Sequence, residues 1–184
     1  MKVSTAFLFI GVSAGAYLAY AYNLFVKLNA RAKSAWSDID VQLKRRHDLV
    51  PNLVTVVKGY ALHERTTLEA VTAARSAAIS AEASPKETEN ALSGTLKALF
   101  ALVENYPLLK ADGTFLQLHK ELVDIEDTLQ YARRYYNGVV RDFNTAIAIF
   151  PNNAVAALFG LKVKDFFELE SVLEKPVPQV DLGH

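Results

Sequence analysis

The sequence predicts an all-α protein in which an N-terminal transmembrane helix precedes an antiparallel up-and-down four-helix bundle. Two observations predict this fold class: residues 3–26 carry no charge, and later segments repeat apolar residues every three or four positions. Helices with one apolar face bury those faces against one another. We expect an anchor at 1–26, the bundle at 27–150, a short packing segment at 151–170 and a disordered tail at 171–184.

The uncharged segment is long enough to cross a membrane. As a helix, residues 3–26 would rise about 36 Å, against a hydrocarbon core of about 30 Å. A cleavable signal is the alternative, because Lys2 is basic and Ala14-Gly-Ala16 offers small residues for cleavage. The apolar run continues past that site, which favours a retained anchor in contact with membrane lipid. Three tyrosines near its end are typical of an interfacial belt: Tyr17, Tyr20 and Tyr22.

The charges beside the anchor leave its orientation open. Lys27, Arg31 and Lys33 follow the segment, and the positive-inside rule then favours a cytoplasmic bundle. That rule weakens before a long domain, and Lys2 is equally compatible with an exported bundle. Both orientations therefore stay open.

An apolar stripe continues from the anchor into the first bundle helix and reaches Arg46. Pro51 lacks a backbone donor and disfavours helix at the preceding residue. We therefore predict a tight turn over residues 47–50 and a second helix from Pro51 to about Ala81. The alternative is one long helix kinked at Pro51, because the stripe stays nearly in phase across it. The stripe consists of Ala32, Trp36, Ile39 and Leu43.

Two capping boxes predict where the remaining long helices begin. Ser84 precedes Pro85 and Glu87 and would cap a helix that ends at Pro107. The run from Thr114 to Gln117 would start the last helix, which extends to about Phe150. This helix has the most regular seam in the chain: Leu118, Leu122, Ile125, Leu129, Ala132, Tyr136, Val139, Phe143, Ile147 and Phe150.

Composition and motifs exclude several classes of function. Basic and acidic residues number 20 each, so no net charge attracts nucleic acid. The chain has no cysteine for a thiolate site. His63-Glu64 begins like a zinc-protease motif, but position 67 is Thr rather than His. We therefore expect no catalytic residues, no metal, no cofactor and no nucleic-acid partner.

The basic cluster Lys44-Arg45-Arg46-His47 has a structural interpretation. A helix from Lys27 would carry it about 29 Å from the membrane, which is far for a lipid headgroup contact. Arg46 lies on the inward stripe and would need a carboxylate partner, either Asp48 or a Glu of another helix.

Two further features lie in the C-terminal half. Asn137, Arg141 and Asn144 form a polar strip beside the last seam, and we expect it to fix helix register by interhelical hydrogen bonds. The seam itself also allows a homo-oligomer. The Phe-rich segment 157–168 is interpreted as a lid over the bundle end rather than as a partner or membrane contact, because exposed aromatic patches are unusual.

Several runs of this chain resemble the signature of the LemA family. The motifs are Ile39 to Val54, Val57 to Glu64, Glu104-Asn-Tyr-Pro107, and the pairs Tyr136-Asn137 and Phe150-Pro151. The resemblance implies a bacterial or archaeal single-pass membrane protein with an antiparallel four-helix domain and no established catalytic residues. Phe143 departs from the family pattern, which usually has Tyr there.

These features together favour a non-enzymatic, membrane-anchored scaffold in the cell envelope. We expect its groove or end to engage an unidentified envelope protein. The alternative is a membrane-organising protein that contacts lipid through its anchor and Phe-rich segment. The residues predicted to bind the partner are Arg45, Arg46, Tyr60, His63 and Glu64.

Overall fold

The computed structural model describes residues 2–80 and 85–167, and this part of the chain is helical without a strand. The all-α prediction is therefore confirmed. The cap predicted at Ser84, the end of the packing segment beyond residue 167 and the tail at 171–184 lie outside the described residues. The helices are α1 (Lys2–Tyr60), α2 (Arg65–Ile79), α3 (Pro85–Val103), α4 (Pro107–Lys110), α5 (Gly113–Ala148) and α6 (Asn152–Leu158).

The four long helices run up and down. Helix α1 runs from the N-terminal end of the molecule to the opposite end, which we call the distal end. Helix α2 runs back, α3 runs toward the distal end again, and α5 runs back along most of α1. Tyr60 of α1 contacts Asp112 at the start of α5, whereas the rings of Phe25 and Phe143 lie 6.2 Å apart near the other end. Because numbers rise on one helix as they fall on the other, α1 and α5 are antiparallel.

Helix α1 continues through Pro51 without a break. The predicted turn over residues 47–50 is therefore wrong, and the alternative of one continuous helix is right. Pro51 cannot donate to the carbonyl of His47 four residues earlier. Arg75 of α2 takes that place, since its Nε donates to the His47 carbonyl at 2.7 Å. The chain reverses at residues 61–64 instead, so 51–60 belong to α1 rather than to a second helix.

The cap of α5 also differs from the prediction. Asp112, not Thr114, is the N-cap: its backbone is extended (φ −67°, ψ 126°) and its carboxylate accepts from the N–H of Phe115 at 2.9 Å. Thr114 lies inside the helix. At the other end α5 stops at Ala148, so Phe150 leaves the predicted seam and is 83% exposed.

Among the described residues, the core forms three apolar clusters along the bundle axis. The distal cluster includes Leu53, Val71, Leu92 and Leu99. The middle cluster joins α1 to α5 through Ile39, Leu43 and Leu129, with Trp36 packed against it. The proximal cluster, at the anchor end, consists of Ala21, Phe25, Leu28, Phe143, Ala146, Val155 and Ala156.

The proximal cluster extends the bundle into the predicted anchor. Ala21 and Phe25 are almost completely buried against α5 and α6. Packing thus begins before residue 27, where the bundle was predicted to begin. Earlier apolar side chains have no protein cover and are 63–70% exposed: Phe7, Leu8, Phe9, Ile10 and Val12.

Replacing Arg75 tests how α1 tolerates Pro51. We expect Arg75→Ala to lower the free energy of unfolding by about 1–2 kcal/mol, because the His47 carbonyl loses its donor. In a Pro51→Ala background the loss is smaller, because the substituted alanine restores a helical N–H. Urea unfolding of the full chain in micelles, followed by Trp36 fluorescence, measures this double-mutant cycle.

Arg65→Ala is the matched control for that cycle. Arg65 is exposed and pairs with the exposed Glu69 at 3.7 Å, so its removal changes stability by no more than about 0.5 kcal/mol. An Arg75→Ala cost that Pro51→Ala leaves unchanged contradicts the explanation.

Candidate functional site

Arg46 lies in a buried network of ion pairs between the distal and middle clusters. Its Nη1 is 3.3 Å from Glu89 Oε2 and 3.6 Å from Glu126 Oε2. Its Nη2 donates to Ser93 Oγ at 2.7 Å. The partners are therefore glutamates of α3 and α5, as the inward stripe predicts, and not Asp48. With only 4% of its surface exposed, Arg46 does not present its guanidinium to a partner protein.

His47 and Arg133 extend this buried network. His47 Nε2 lies 2.7 Å from Glu89 Oε1, and Arg133 Nη1 lies 3.7 Å from Glu126 Oε1. Burial lowers the pKa of the Arg133 guanidinium, while the charge of Glu126 opposes that shift. Arg133 Nε and Nη2 have no hydrogen-bond partner among the described residues, but the guanidinium lies 5.1 Å from the ring centre of Phe167.

Sequence reasoning missed Glu89 and Arg133 because the seams were traced through apolar residues. The signal was present in the spacing. Glu89 lies three residues before buried Leu92, and Arg133 lies four after buried Leu129. Complementary charges at seam positions of different helices thus indicate a buried pair, which is satisfied only when both partners are present.

At the distal end, two tyrosine–carboxylate bonds tie the α1–α2 turn to the start of α4 and α5. Tyr60 donates to Asp112 Oδ2 and Tyr106 donates to Glu64 Oε1, both at 2.8 Å. Each bond raises the pKa of its tyrosine. The pKa of Asp112 is lowered, first by the N–H of Phe115 and then by Tyr60. These bonds close the end of the bundle opposite the predicted anchor.

Apolar side chains project from this closed end and form what we call the distal surface. Leu62 is 64% exposed, Leu108 80% and Leu116 50%, and His63 beside Leu62 is also exposed. A groove of about 690 Å³ between α1 and α2 adjoins Leu62 and is lined in part by Val54, Lys58, Arg65 and Leu68.

The five residues predicted to bind a partner do not share one surface. Tyr60, His63 and Glu64 lie together at the distal end, whereas Arg46 is buried about 21 Å away along α1. Arg45 is exposed and lines a separate groove of about 250 Å³ between α1 and α5, beside the acidic residues Glu121 and Asp124.

The asparagines of the predicted polar strip bind the C-terminal segment instead of another helix of the bundle. The side-chain amides of Asn137 and Asn144 bond the backbone of residues 164–167 rather than another bundle helix, at distances of 2.7–3.0 Å. Arg141 is exposed and lies near Asp142. The extended C-terminal segment was therefore the missing partner of the asparagines.

Comparison with known proteins supports the family that the sequence motifs indicate. The LemA family model matches residues 35–182. The chain belongs to the LemA family. Magnetosome protein MamQ of Magnetospirillum gryphiswaldense is 25% identical over 189 residues, covering 86% of this chain and 70% of that protein. Protein LemA of Metamycoplasma hominis is 30% identical over 146 residues, covering 76% and 67%.

A second magnetosome relative gives a similar match. MamQ 2 of Paramagnetospirillum magneticum is 23% identical over 190 residues, covering 88% of this chain and 70% of that protein. One described helix of this LemA family member is long and apolar enough to cross a membrane. Together with the relatives, this helix indicates membrane association.

The His63-Glu64 pair has no metal-binding geometry around it. Glu64 accepts from Tyr106, and His63 faces solvent. Within residues 2–80 and 85–167, no group of three or more His, Cys, Asp or Glu side chains is placed to hold a metal ion.

The buried network of this LemA family member is tested by Glu89→Gln. Glu89 is 2% exposed and pairs with both Arg46 and His47. We expect a loss of about 3–5 kcal/mol in unfolding free energy, because the substitution leaves a buried cation short of a counter-charge. Thermal unfolding of the full chain, followed by circular dichroism, measures it.

A combined Glu89→Gln and Arg46→Met variant distinguishes the effect of the unpaired charge from the effect of changed side-chain shape. It should be more stable than Glu89→Gln alone, since the unpaired cation is then removed. The control is Glu69→Gln on the surface, which we expect to cost at most about 0.5 kcal/mol. Equal losses at Glu89 and Glu69 would show that the network is not energetically important.

Proposed function

We propose that this protein is a non-enzymatic scaffold with one membrane-spanning segment, and that its distal surface engages another protein of the cell envelope. The exposed apolar residues of that surface are the observation that carries the proposal. Three leucines that are 50–80% exposed are grouped at this end of the bundle, and grouped exposed apolar residues are typical of an interaction surface.

The continuity of α1 supports this role. From residue 27 to Tyr60 the helix rises about 50 Å without interruption. A span that ends near residue 27 would hold the distal surface well away from the bilayer, where a partner anchored in the same membrane could reach it.

The tyrosine–carboxylate bonds give the surface its shape. Because Tyr60 and Glu64 bond Asp112 and Tyr106, the turn that bears Leu62 is fixed relative to α4, which bears Leu108. A preorganised surface binds with less loss of conformational entropy.

Photo-cross-linking in the native host tests the scaffold proposal. A photoreactive residue at Leu62 should give one discrete adduct with an envelope protein, and the same residue at Val41 should not. Val41 is the matched control because it is also apolar and is 52% exposed on α1. Leu108→Asp should weaken the adduct at least about tenfold, as loss of a central contact does, while Arg141→Ala leaves it unchanged.

Two results would reject the distal surface. One is the same adduct pattern from positions 41 and 62, and the other is the absence of any adduct at 62. In either case the distal leucines are not the site of a specific contact.

A second candidate function, membrane organisation, is favoured by the apolar residues at the opposite end. We define the proximal collar as Ile149, Phe150, Leu158 and Phe159, which are 43–83% exposed. The ring of Phe159 lies 4.8 Å from that of Tyr22, and Asn152 accepts from Tyr17 at 2.5 Å. Tyr17 and Tyr22 lie near the end of the apolar stretch, where an interfacial aromatic belt is expected, and this supports insertion of the collar at the bilayer interface.

Quenching by brominated lipid tests the collar. The chain has a single tryptophan, Trp36, so a Trp36→Phe background allows one reporter at a time. In vesicles of brominated phosphatidylcholine, we expect strong quenching of the Phe159→Trp reporter. Tyr131→Trp is the control, because Tyr131 is 68% exposed but lies on the middle of α5. If the tryptophan at position 159 is quenched no more than the tryptophan at position 131, the collar does not insert into the bilayer.

A further inference from the structure

The C-terminal strap, residues 161–167, is an extended segment held by side-chain amides of α5. Asn144 accepts from the N–H of Lys164 at 2.8 Å and donates to its carbonyl at 2.9 Å. Asn137 accepts from the N–H of Phe167 at 2.7 Å and donates to its carbonyl at 3.0 Å. Each asparagine therefore binds both backbone groups of one residue, as a neighbouring strand would.

The distance between the two asparagines along α5 is close to the length of three residues of an extended backbone. They are seven residues apart on α5, or about 10.5 Å along the helix. Lys164 and Phe167 are three residues apart, which is one turn of a polyproline-type chain and a length of about 9 Å. In such a chain, residues three apart face the same side. The contacts to backbone atoms are independent of side-chain identity, and Tyr136 adds another by donating to the Asp165 carbonyl at 3.2 Å.

One side-chain pocket adds selectivity to this backbone recognition. Phe167 is only 8% exposed, and its ring centre lies 5.7 Å from that of Trp36. The Arg133 guanidinium lies 5.1 Å from the same ring centre, so the pocket suits an aromatic side chain. By contrast, Val163 and Phe166 of the strap are 67% and 45% exposed.

The strap has the features of a segment that can leave the bundle. It follows Gly160, which is exposed and has a φ of +63°, a conformation that side chains other than glycine disfavour. Beyond that hinge, the strap is held by buried Phe167, by Leu161 packed against the proximal cluster, by the Lys164 ammonium 5.1 Å from the ring centre of Phe143, and by a few backbone bonds. Segments with few buried apolar contacts open locally while the rest of a protein stays folded.

We propose that the strap groove, the surface of α1 and α5 formed by Trp36, Arg133, Tyr136, Asn137 and Asn144, is a binding site for an extended peptide of another chain, and that the strap occupies it in cis. The ligand has an aromatic residue at the position of Phe167 and a free backbone N–H there and three residues earlier. Proline is excluded at both positions, because it has no N–H to donate. The groove is separate from the distal surface, so neither proposal depends on the other.

Peptide binding to the full chain in micelles tests the site. The probe is a fluorescein-labelled peptide of residues 161–167, and the receptor is Phe167→Ala, whose own strap is weakened. Fluorescence anisotropy should show saturable binding, with a Kd at least about tenfold lower than for the unmodified chain, where the strap competes. Trp36 emission should change with the same Kd, because Trp36 lines the pocket.

Proline variants of the peptide separate backbone recognition from adventitious apolar binding. Lys164→Pro removes the N–H that Asn144 accepts and should weaken binding at least about tenfold. Phe166→Pro is the matched control and should stay within about threefold, since the described contacts do not use its N–H. Asn144→Ala in the receptor should weaken binding by a factor similar to that of Lys164→Pro.

Two outcomes overturn the proposal. The first is absence of saturable binding to Phe167→Ala, or equal affinity for the two proline peptides. The second comes from hydrogen exchange of the unmodified chain, in which the amides of Lys164 and Phe167 should exchange at least about a hundredfold faster than that of Val140. Equal exchange at all three would make the strap a permanent part of the core.

Discussion

Four helices are joined at one short stretch of α1, residues 46–51, and the rest of the bundle depends on the polar contacts made there. Pro51 leaves the His47 carbonyl free, and Arg75 binds it from α2. Arg46 and His47 bind Glu89 of α3, and Arg46 also pairs with Glu126 of α5. This stretch of α1 therefore has a specific polar partner on each of the three neighbouring helices.

Periodicity was sufficient to predict the helices and most of their inner faces. Ile39, Leu43, Leu122 and Leu129 are buried as the seams predicted, and the inward position of Arg46 required a carboxylate that α3 and α5 supply. The prediction of a turn before Pro51 was wrong because the backbone preferences of neighbouring residues do not take account of Arg75. This residue lies 28 residues from His47 in sequence. Tertiary contacts of this kind override backbone preference.

The candidate surfaces were less predictable than the fold. Tyr60, His63 and Glu64 do lie together, because a helix end and a turn keep neighbours in sequence close in space. Arg45 and Arg46 separate because adjacent residues on a helix differ by about 100° in direction. The partner of Asn137 and Asn144 could not be found from the sequence, since an extended segment without periodicity gives no indication of where it lies.

The unbroken α1 helix has a mechanical consequence. Transmembrane helices change tilt when the thickness of the bilayer changes, typically within a range around 20°. Because α1 carries no hinge between its apolar stretch and Tyr60, it acts as a lever with an arm of about 50 Å. A change of about 20° in tilt would sweep its far tip sideways by about 17 Å. In the membrane-spanning arrangement proposed above, a change in bilayer thickness would thereby become a sideways displacement of the distal surface.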